Sequence, residues 1–230
     1  MQVKYPIIPE KTAMIVVDMQ NDFVQEGAPI EIPRARAMVP RLNRLLDVCR
    51  AHQIPVIYIH HVIRGGDIDA GRLADHHEAI RNNKALIAGT KNVEIYEGLK
   101  PHPGDLVVAK PRYSAFYGTA LEAILRSKGI DTLIISGTVT QVCCESTTRD
   151  AFSRDYKVIF LSDGNAARDL PDVGFGPVSA EEVQKVVLTV LAMSFAQVSS
   201  IDQVIAEIEQ LLADTKGGEA LPGNAARLGR

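Results

Sequence analysis

The stretch DTLIISGTVTQVCCESTTRDAF, residues 131–152, decides the fold. Its first part, DTLIISG (131–137), is apolar on both faces of an extended chain and is bounded by Asp and Gly. That pattern predicts a strand of a parallel sheet covered on both sides. A turn containing Gly137 follows, and residues 141–154 read as a helix. Four more runs of the same kind lie elsewhere: TAMIVVD (12–18), PVIYIHH (55–61), GDLVVAK (104–110) and YKVIFLS (156–162). Between them, residues 34–52 place Ala37, Met38, Leu42, Leu45, Leu46 and Cys49 at helical spacing. Residues 119–128 do the same with Leu121, Ile124 and Leu125, and Gly129 stops that helix. A helix over 180–193, a short sixth strand, FAQVSS (195–200), and a helix over 201–213 capped by Ser200 complete the pattern. Alternation of this sort predicts an α/β protein, a three-layer α/β/α sandwich on a central, mainly parallel six-stranded sheet. The excursion 62–103 reads as a lid or rim segment rather than a separate domain. The expected organisation is one domain over 1–214 and a flexible C-terminal tail over 215–230.

Composition narrows the function. The chain has 230 residues, 46% hydrophobic and 23% charged, with a net charge of −3. No basic footprint for nucleic acid is present, and no apolar run approaches the roughly 20 residues of a membrane span. The N-terminus, MQVKYPIIPEK, lacks a signal peptide's basic flank and apolar run. Three cysteines, Cys49, Cys143 and Cys144, are too few and odd in number for a disulfide framework. The expectation is a cytoplasmic protein with free thiols and a small-molecule substrate.

Ligands of open parallel sheets bind beyond the carboxyl ends of the strands. Asp18 ends the first predicted strand, Lys110 ends the third, and Cys143 follows the fourth. A carboxylate, an ammonium and a thiol thereby share one rim. Cys143 falls in the first turn of its helix, where unpaired N–H groups favour a thiolate and can receive an oxyanion. Cys144 shares much of that environment, and the residues alone do not choose between the two thiols.

Three segments, IVVDMQNDF (15–23), KPRYSAF (110–116) and GTVTQVCCESTTRDA (137–151), resemble the isochorismatase-like cysteine hydrolases in order and spacing. The resemblance covers roughly residues 10–205. It implies a catalytic triad of Asp18, Lys110 and Cys143, because the family's G-x-x-T-x-x-C motif ends on Cys143. It also implies a cis peptide at Thr138–Val139 and an oxyanion hole built from the N–H groups of Val139 and Cys143. Phe23, Tyr113 and Phe116 lie in the matching segments as candidate pocket walls. Arg112 is a candidate partner for a substrate carboxylate or urea oxygen, and Gln141, with Gln20 and Asn21, for a polar substrate group.

Nicotinamidases of this superfamily hold a metal through Asp-x-His and a further His after the second strand. Here that region reads YIHHVIRGGDID (58–69), with no His at the needed offset from Asp67 or Asp69. The adjacent pair His60–His61 and the run Asp75–His76–His77 do not read as converging ligands. Neither a metal nor another cofactor is expected. The resemblance therefore implies a metal-free cysteine amidohydrolase cleaving a C–N bond of a small ureido, carbamoyl or amide compound through a thioester, with ammonia release. The alternatives are an isochorismate-type vinyl-ether hydrolase, against which Cys143 argues, and a catalytically silent binding subunit. Members of the family are commonly dimers or tetramers, so a homodimer or homotetramer is expected.

Overall fold

The computed structural model describes residues 3–217. Six strands, β1 (Thr12–Val17), β2 (Val56–His61), β3 (Leu106–Lys110), β4 (Thr132–Thr138), β5 (Lys157–Ala166) and β6 (Gln197–Ser199), form one sheet. Their order is β3-β2-β1-β4-β5-β6, and every neighbouring pair is parallel. The sheet is therefore wholly parallel, one step beyond the mainly parallel expectation. The chain starts in the middle, builds outward through β2 and β3, then crosses to β4 and builds the other way. The two halves part between β1 and β4, which opens a crevice at the carboxyl ends of those strands.

Side chains alternate across the sheet because successive residues of a strand face opposite ways. Met14, Val16, Tyr58, Ile134, Ile159 and Leu161 point into one apolar layer. Ala13, Ile15, Val17, Ile57, Ile59, Leu133, Ile135, Val158 and Phe160 point into the other. The first layer is closed by helices α1 (Asn21–Val24), α2 (Pro33–Ala51) and α8 (Ile201–Gly217), with short helices α3 (Leu73–His76) and α4 (Glu78–Arg81) at its rim. Helices α5 (Leu121–Ser127), α6 (Glu145–Phe152) and α7 (Ala180–Ser194) close the second. Ser200 caps α8 as expected: its Oγ accepts from the Gln203 N–H at 3.2 Å, and Gln203 Oε1 accepts from the Ser200 N–H at 2.8 Å. That helix runs on to Gly217, past the expected end at 213 and into the segment read as tail; residues 218–230 lie outside the described residues.

Two local departures matter for the site. Strand β5 extends to Ala166 because a register shift between Ile135 and Gly137 bends the β4–β5 ladder. Asn165 bridges the gap, its Nδ2 donating to the carbonyls of Ile135 at 2.9 Å and Leu161 at 2.7 Å. The helix expected from residue 141 is preceded by a five-residue π-turn over Thr140–Cys144, so α6 begins only at Glu145. Such turns are frequent at functional sites.

The excursion 62–103 is stitched to the segment after β1. The Asn21 N–H donates to the Glu94 carbonyl and the Tyr96 N–H to the Met19 carbonyl, both at 3.0 Å, while Asp22 Oδ2 accepts the Leu86 N–H at 3.1 Å. It is a wall of the crevice. Among the described residues, no helix is long and apolar enough to cross a membrane.

Gly137 keeps β1 and β4 close beside that crevice. Its φ is +136°, and a Cβ there would lie 2.0 Å from the Val17 carbonyl oxygen. Gly137→Ala is expected to cost about 3 kcal/mol or more, since both the dihedral and the contact oppose it. A urea unfolding midpoint unchanged from wild type would contradict that expectation.

Candidate active site

Three strand ends deliver three side chains to the crevice. Asp18 follows β1 with φ of +51°, a left-handed conformation that Asp tolerates better than most residues, and its N–H donates to the Ile59 carbonyl at 2.8 Å. Lys110 ends β3, and Cys143 sits in the π-turn after β4. Asp18 and Lys110 are wholly shielded from solvent, and Cys143 is 2% exposed. Lys110 Nζ lies 2.8 Å from Asp18 Oδ2 and 3.4 Å from Cys143 Sγ, and it donates to the Arg112 carbonyl at 3.0 Å. The ammonium thus faces a carboxylate, a sulfur and a carbonyl, the compensation a buried cation requires. The Thr138–Val139 peptide is cis.

Burial sets the protonation states. It raises the Asp18 carboxyl above the usual range, although Lys110 pulls it down. Burial also pushes the Cys143 thiol up, and the Asp18 charge adds to the rise. For Lys110 burial opposes the charge, but Asp18 and Cys143 together raise its pKa. The thiolate expected from the helix start is therefore not the resting form. Removal of a thiol from water outweighs the N–H groups of one turn.

A narrow cleft opens onto Cys143. Apolar walls come from Phe23, Ile30, Ile80, Leu86, Val139 and Val142. Its polar groups are His61, His77, Tyr113 and Arg168, besides Cys143 itself. The Tyr113 hydroxyl and His77 Nε2 are hydrogen-bonded at 3.1 Å, tying the excursion to the segment after β3. Arg168 is half-buried, and among the described residues its guanidinium has no acidic or carbonyl partner.

Other candidates are used elsewhere. Phe116 lies in the layer beneath α5 and α6, 5.8 Å from the Tyr156 ring and under the Arg154 guanidinium, away from the cleft. Arg112 Nη1 donates to the carbonyls of Asp69 at 3.0 Å and Pro111 at 2.6 Å, so it braces the excursion instead of facing the cleft. Gln141 Nε2 donates to the Arg168 carbonyl at 3.1 Å and so holds the backbone of the loop that carries Arg168. Gln20 clasps the His61 backbone, and Asn21 Nδ2 donates to the Lys91 carbonyl at 2.8 Å. Each of these side chains sits in a segment that borders the site, but the turn that follows β1, β3 or β4 swings it to another partner. His61, His77 and Arg168 escape sequence reasoning because all three lie outside the matching segments, and both histidines read as members of clusters that do not converge. The position of His61 as the last residue of β2 is the available signal.

His60 and His61 do diverge: His60 Nδ1 meets the Val93 carbonyl at 3.0 Å. His61 instead joins the site, and one ligating atom each from Asp18, His61 and Cys143 lie within 4.8 Å of one another. A carboxylate, an imidazole and a thiol would suit zinc. The Lys110 ammonium, however, already lies against both the carboxylate and the sulfur, and a cation there would meet like charge at contact distance.

The isochorismatase domain family matches residues 12–212. The chain therefore belongs to the isochorismatase family and is a hydrolase. It is 34% identical over 172 residues to the ureidoacrylate amidohydrolase RutB of Methylobacterium radiotolerans, covering 67% of each chain. The RutB of Agrobacterium fabrum is also 34% identical, over 67% of this chain and 75% of that one. Among solved structures, a cysteine hydrolase from Pseudomonas syringae superposes with a TM-score of 0.88 at 44% identity, covering 91% of this chain and 97% of that one. The N-carbamoylsarcosine amidase of Thermoplasma acidophilum superposes with a TM-score of 0.67 at 28% identity, over 84% and 97% of the two chains.

Because the thiol is raised, alkylation of Cys143 by iodoacetamide should still be accelerating at pH 9, above the ordinary thiol pKa of about 8.5. Cys49 and Cys144, both sealed in the core, should stay unlabelled. Peptide mapping by mass spectrometry against pH checks both points; a rate already at its plateau by pH 7 would contradict the assigned electrostatics.

Proposed function

We propose that this enzyme hydrolyses a small ureido or carbamoyl acid through a thioester on Cys143. It is an amidohydrolase acting on carbon–nitrogen bonds of linear amides. The observation that carries the reading is the shared Lys110 ammonium, in contact with Asp18 and Cys143 at the floor of a cleft. The thiol proton passes to Asp18 as Sγ bonds to the carbonyl carbon. Since burial raises both groups, transfer and attack are concerted, without a standing thiolate. Lys110 keeps its charge throughout and compensates whichever of its two partners is anionic. The N–H groups of Val139 and Cys143 receive the oxyanion. The C–N bond then breaks, Asp18 returns the proton to the nitrogen, and ammonia leaves. Water gives a proton to Asp18 and its oxygen to the carbonyl carbon, the S–C bond breaks, and the proton goes back to sulfur. With a ureido substrate the product is an N-substituted carbamic acid, which falls to carbon dioxide and an amine.

Substrate class follows from the rest of the cleft. An arginine without a partner among the described residues, beside apolar walls, suits a carboxylate, which a guanidinium binds with two parallel hydrogen bonds. The names of the ureidoacrylate and N-carbamoylsarcosine relatives describe ureido and carbamoyl acids, which supports the same reading. A vinyl ether offers Cys143 no amide carbonyl.

Ammonia release from a panel of ureido acids, carbamoyl amino acids and simple amides tests the reading. Cys143→Ser should lower turnover by about 10³-fold or more, whereas Cys144→Ala should keep it within a few-fold. The reverse pattern would sink the assignment of the nucleophile. Arg168→Met should raise KM for acids by about 10- to 100-fold and leave uncharged amides almost unaffected. Equal effects on both substrate types would remove Arg168 as the carboxylate partner.

A further inference from the structure

His61 has no task in the mechanism above, yet it stands at the reacting centre. It is 2% exposed, lines the cleft, and its Nε2 is buried without a hydrogen-bond partner among the described residues. A ring nitrogen lies within 4.8 Å of both an Asp18 oxygen and Cys143 Sγ. The residue is held firmly. Gln20 Oε1 accepts its backbone N–H at 2.7 Å, Gln20 Nε2 donates to its carbonyl at 3.1 Å, and its ring stands edge-on to Tyr113 at 6.4 Å.

Its protonation state follows from what surrounds it. Burial first, then the charges of Lys110 and Arg112, hold the imidazole well below its ordinary pKa, so it is neutral near pH 7. A neutral imidazole has one N–H and one lone pair. The Pro111 carbonyl draws the ring proton to its side, and the unpartnered Nε2 keeps the lone pair. A lone pair cannot bind a carbonyl oxygen, a carboxylate or a thiolate. It needs a donor: the Lys110 ammonium is turned to Asp18, Cys143 and the Arg112 carbonyl, and no hydrogen bond joins Nε2 to the Cys143 thiol.

One part of the bound substrate brings a donor to this place. The carbon attacked by Cys143 carries its leaving nitrogen one bond away, and Asp18 must reach that nitrogen to protonate it. A terminal amino group has two hydrogens. One points to Asp18 and the other to His61. An N-methylated nitrogen has only one hydrogen and would press a methyl group against the lone pair, leaving it unsatisfied.

We infer that His61 accepts a hydrogen bond from the terminal amino group of the substrate, so that the enzyme selects primary carbamoyl groups, R–CO–NH2, and releases ammonia before the rest of the molecule. The inference rests on the reading of Cys143 as nucleophile and narrows its substrate class. It makes His61 a specificity-determining residue rather than a fourth proton carrier.

The test compares kcat/KM for a ureido acid and for its N-methylated counterpart, the methyl group on the terminal nitrogen, in wild type, His61→Phe and His61→Gln. Released ammonia and methylamine are quantified separately. Wild type should prefer the primary over the methylated carbamoyl group by about 10- to 100-fold. His61→Phe keeps the ring against Tyr113 but has no acceptor, and should lose most of that preference. His61→Gln offers Oε1 as an acceptor and should regain part of it. A preference unchanged in a folded His61→Phe protein overturns the inference and leaves the nucleophile reading intact. Wild type that treats the two substrates alike overturns it without any variant, which covers a Phe protein that does not fold. Wild type inactive on every ureido and carbamoyl acid overturns the reading of the site and this inference with it.

Discussion

A lysine ammonium removed from water organises this site. Lys110 is completely buried, and a lone buried cation would cost several kcal/mol. It persists because Asp18, Cys143 and the Arg112 carbonyl meet it at 2.8, 3.4 and 3.0 Å. That requirement reaches into the sheet. Asp18 and Lys110 leave β1 and β3, with β2 between them, so their backbones lie about 10 Å apart. A long side chain spans that distance and a short one does not. Cys143 arrives from the opposite half of the sheet, across the parting between β1 and β4. The parallel order therefore sets which side chains can meet.

Two electrostatic effects compete at Cys143, and their sizes decide the outcome. A turn of free N–H groups favours an anion by about 0.3–1 kcal/mol, up to about 2 in buried geometry. Complete burial shifts a titratable group by up to about 3–5 pKa units, which is several times larger. Burial wins, and the thiol is raised. The same dryness raises Asp18, so the base is stronger where the acid is weaker. Under the proposed mechanism, attack without a standing thiolate follows from that pairing.

The secondary structure was legible because buried parallel strands leave a local record. Ala13, Ile15 and Val17 face one layer while Met14 and Val16 face the other, and all five are apolar. The endings of those strands were legible for the same reason: Asp18 and Lys110 break apolar runs. The partners of individual side chains were not. Phe116 and Tyr113 are three residues apart in one matching segment, yet Tyr113 lines the cleft and Phe116 packs on Tyr156 in the opposite layer. Arg112 lies between Lys110 and Tyr113, but its guanidinium turns back to the Asp69 and Pro111 carbonyls. The π-turn before α6 also left no local mark, since its residues would suit an ordinary helix start equally well.

By itself, the order of residues determined the alternation of strands and helices and the rim on which Asp18, Lys110 and Cys143 fall, because those depend on patterns a few residues long. Tertiary structure alone decided that His61 turns inward while His60 turns out to Val93, and that Arg168 reaches the cleft without a partner among the described residues. It also decided that burial, not the helix start, governs the thiol. Each of these depends on which distant segment lies against a side chain and on how much water that contact expels. Neither quantity is a property of the local sequence.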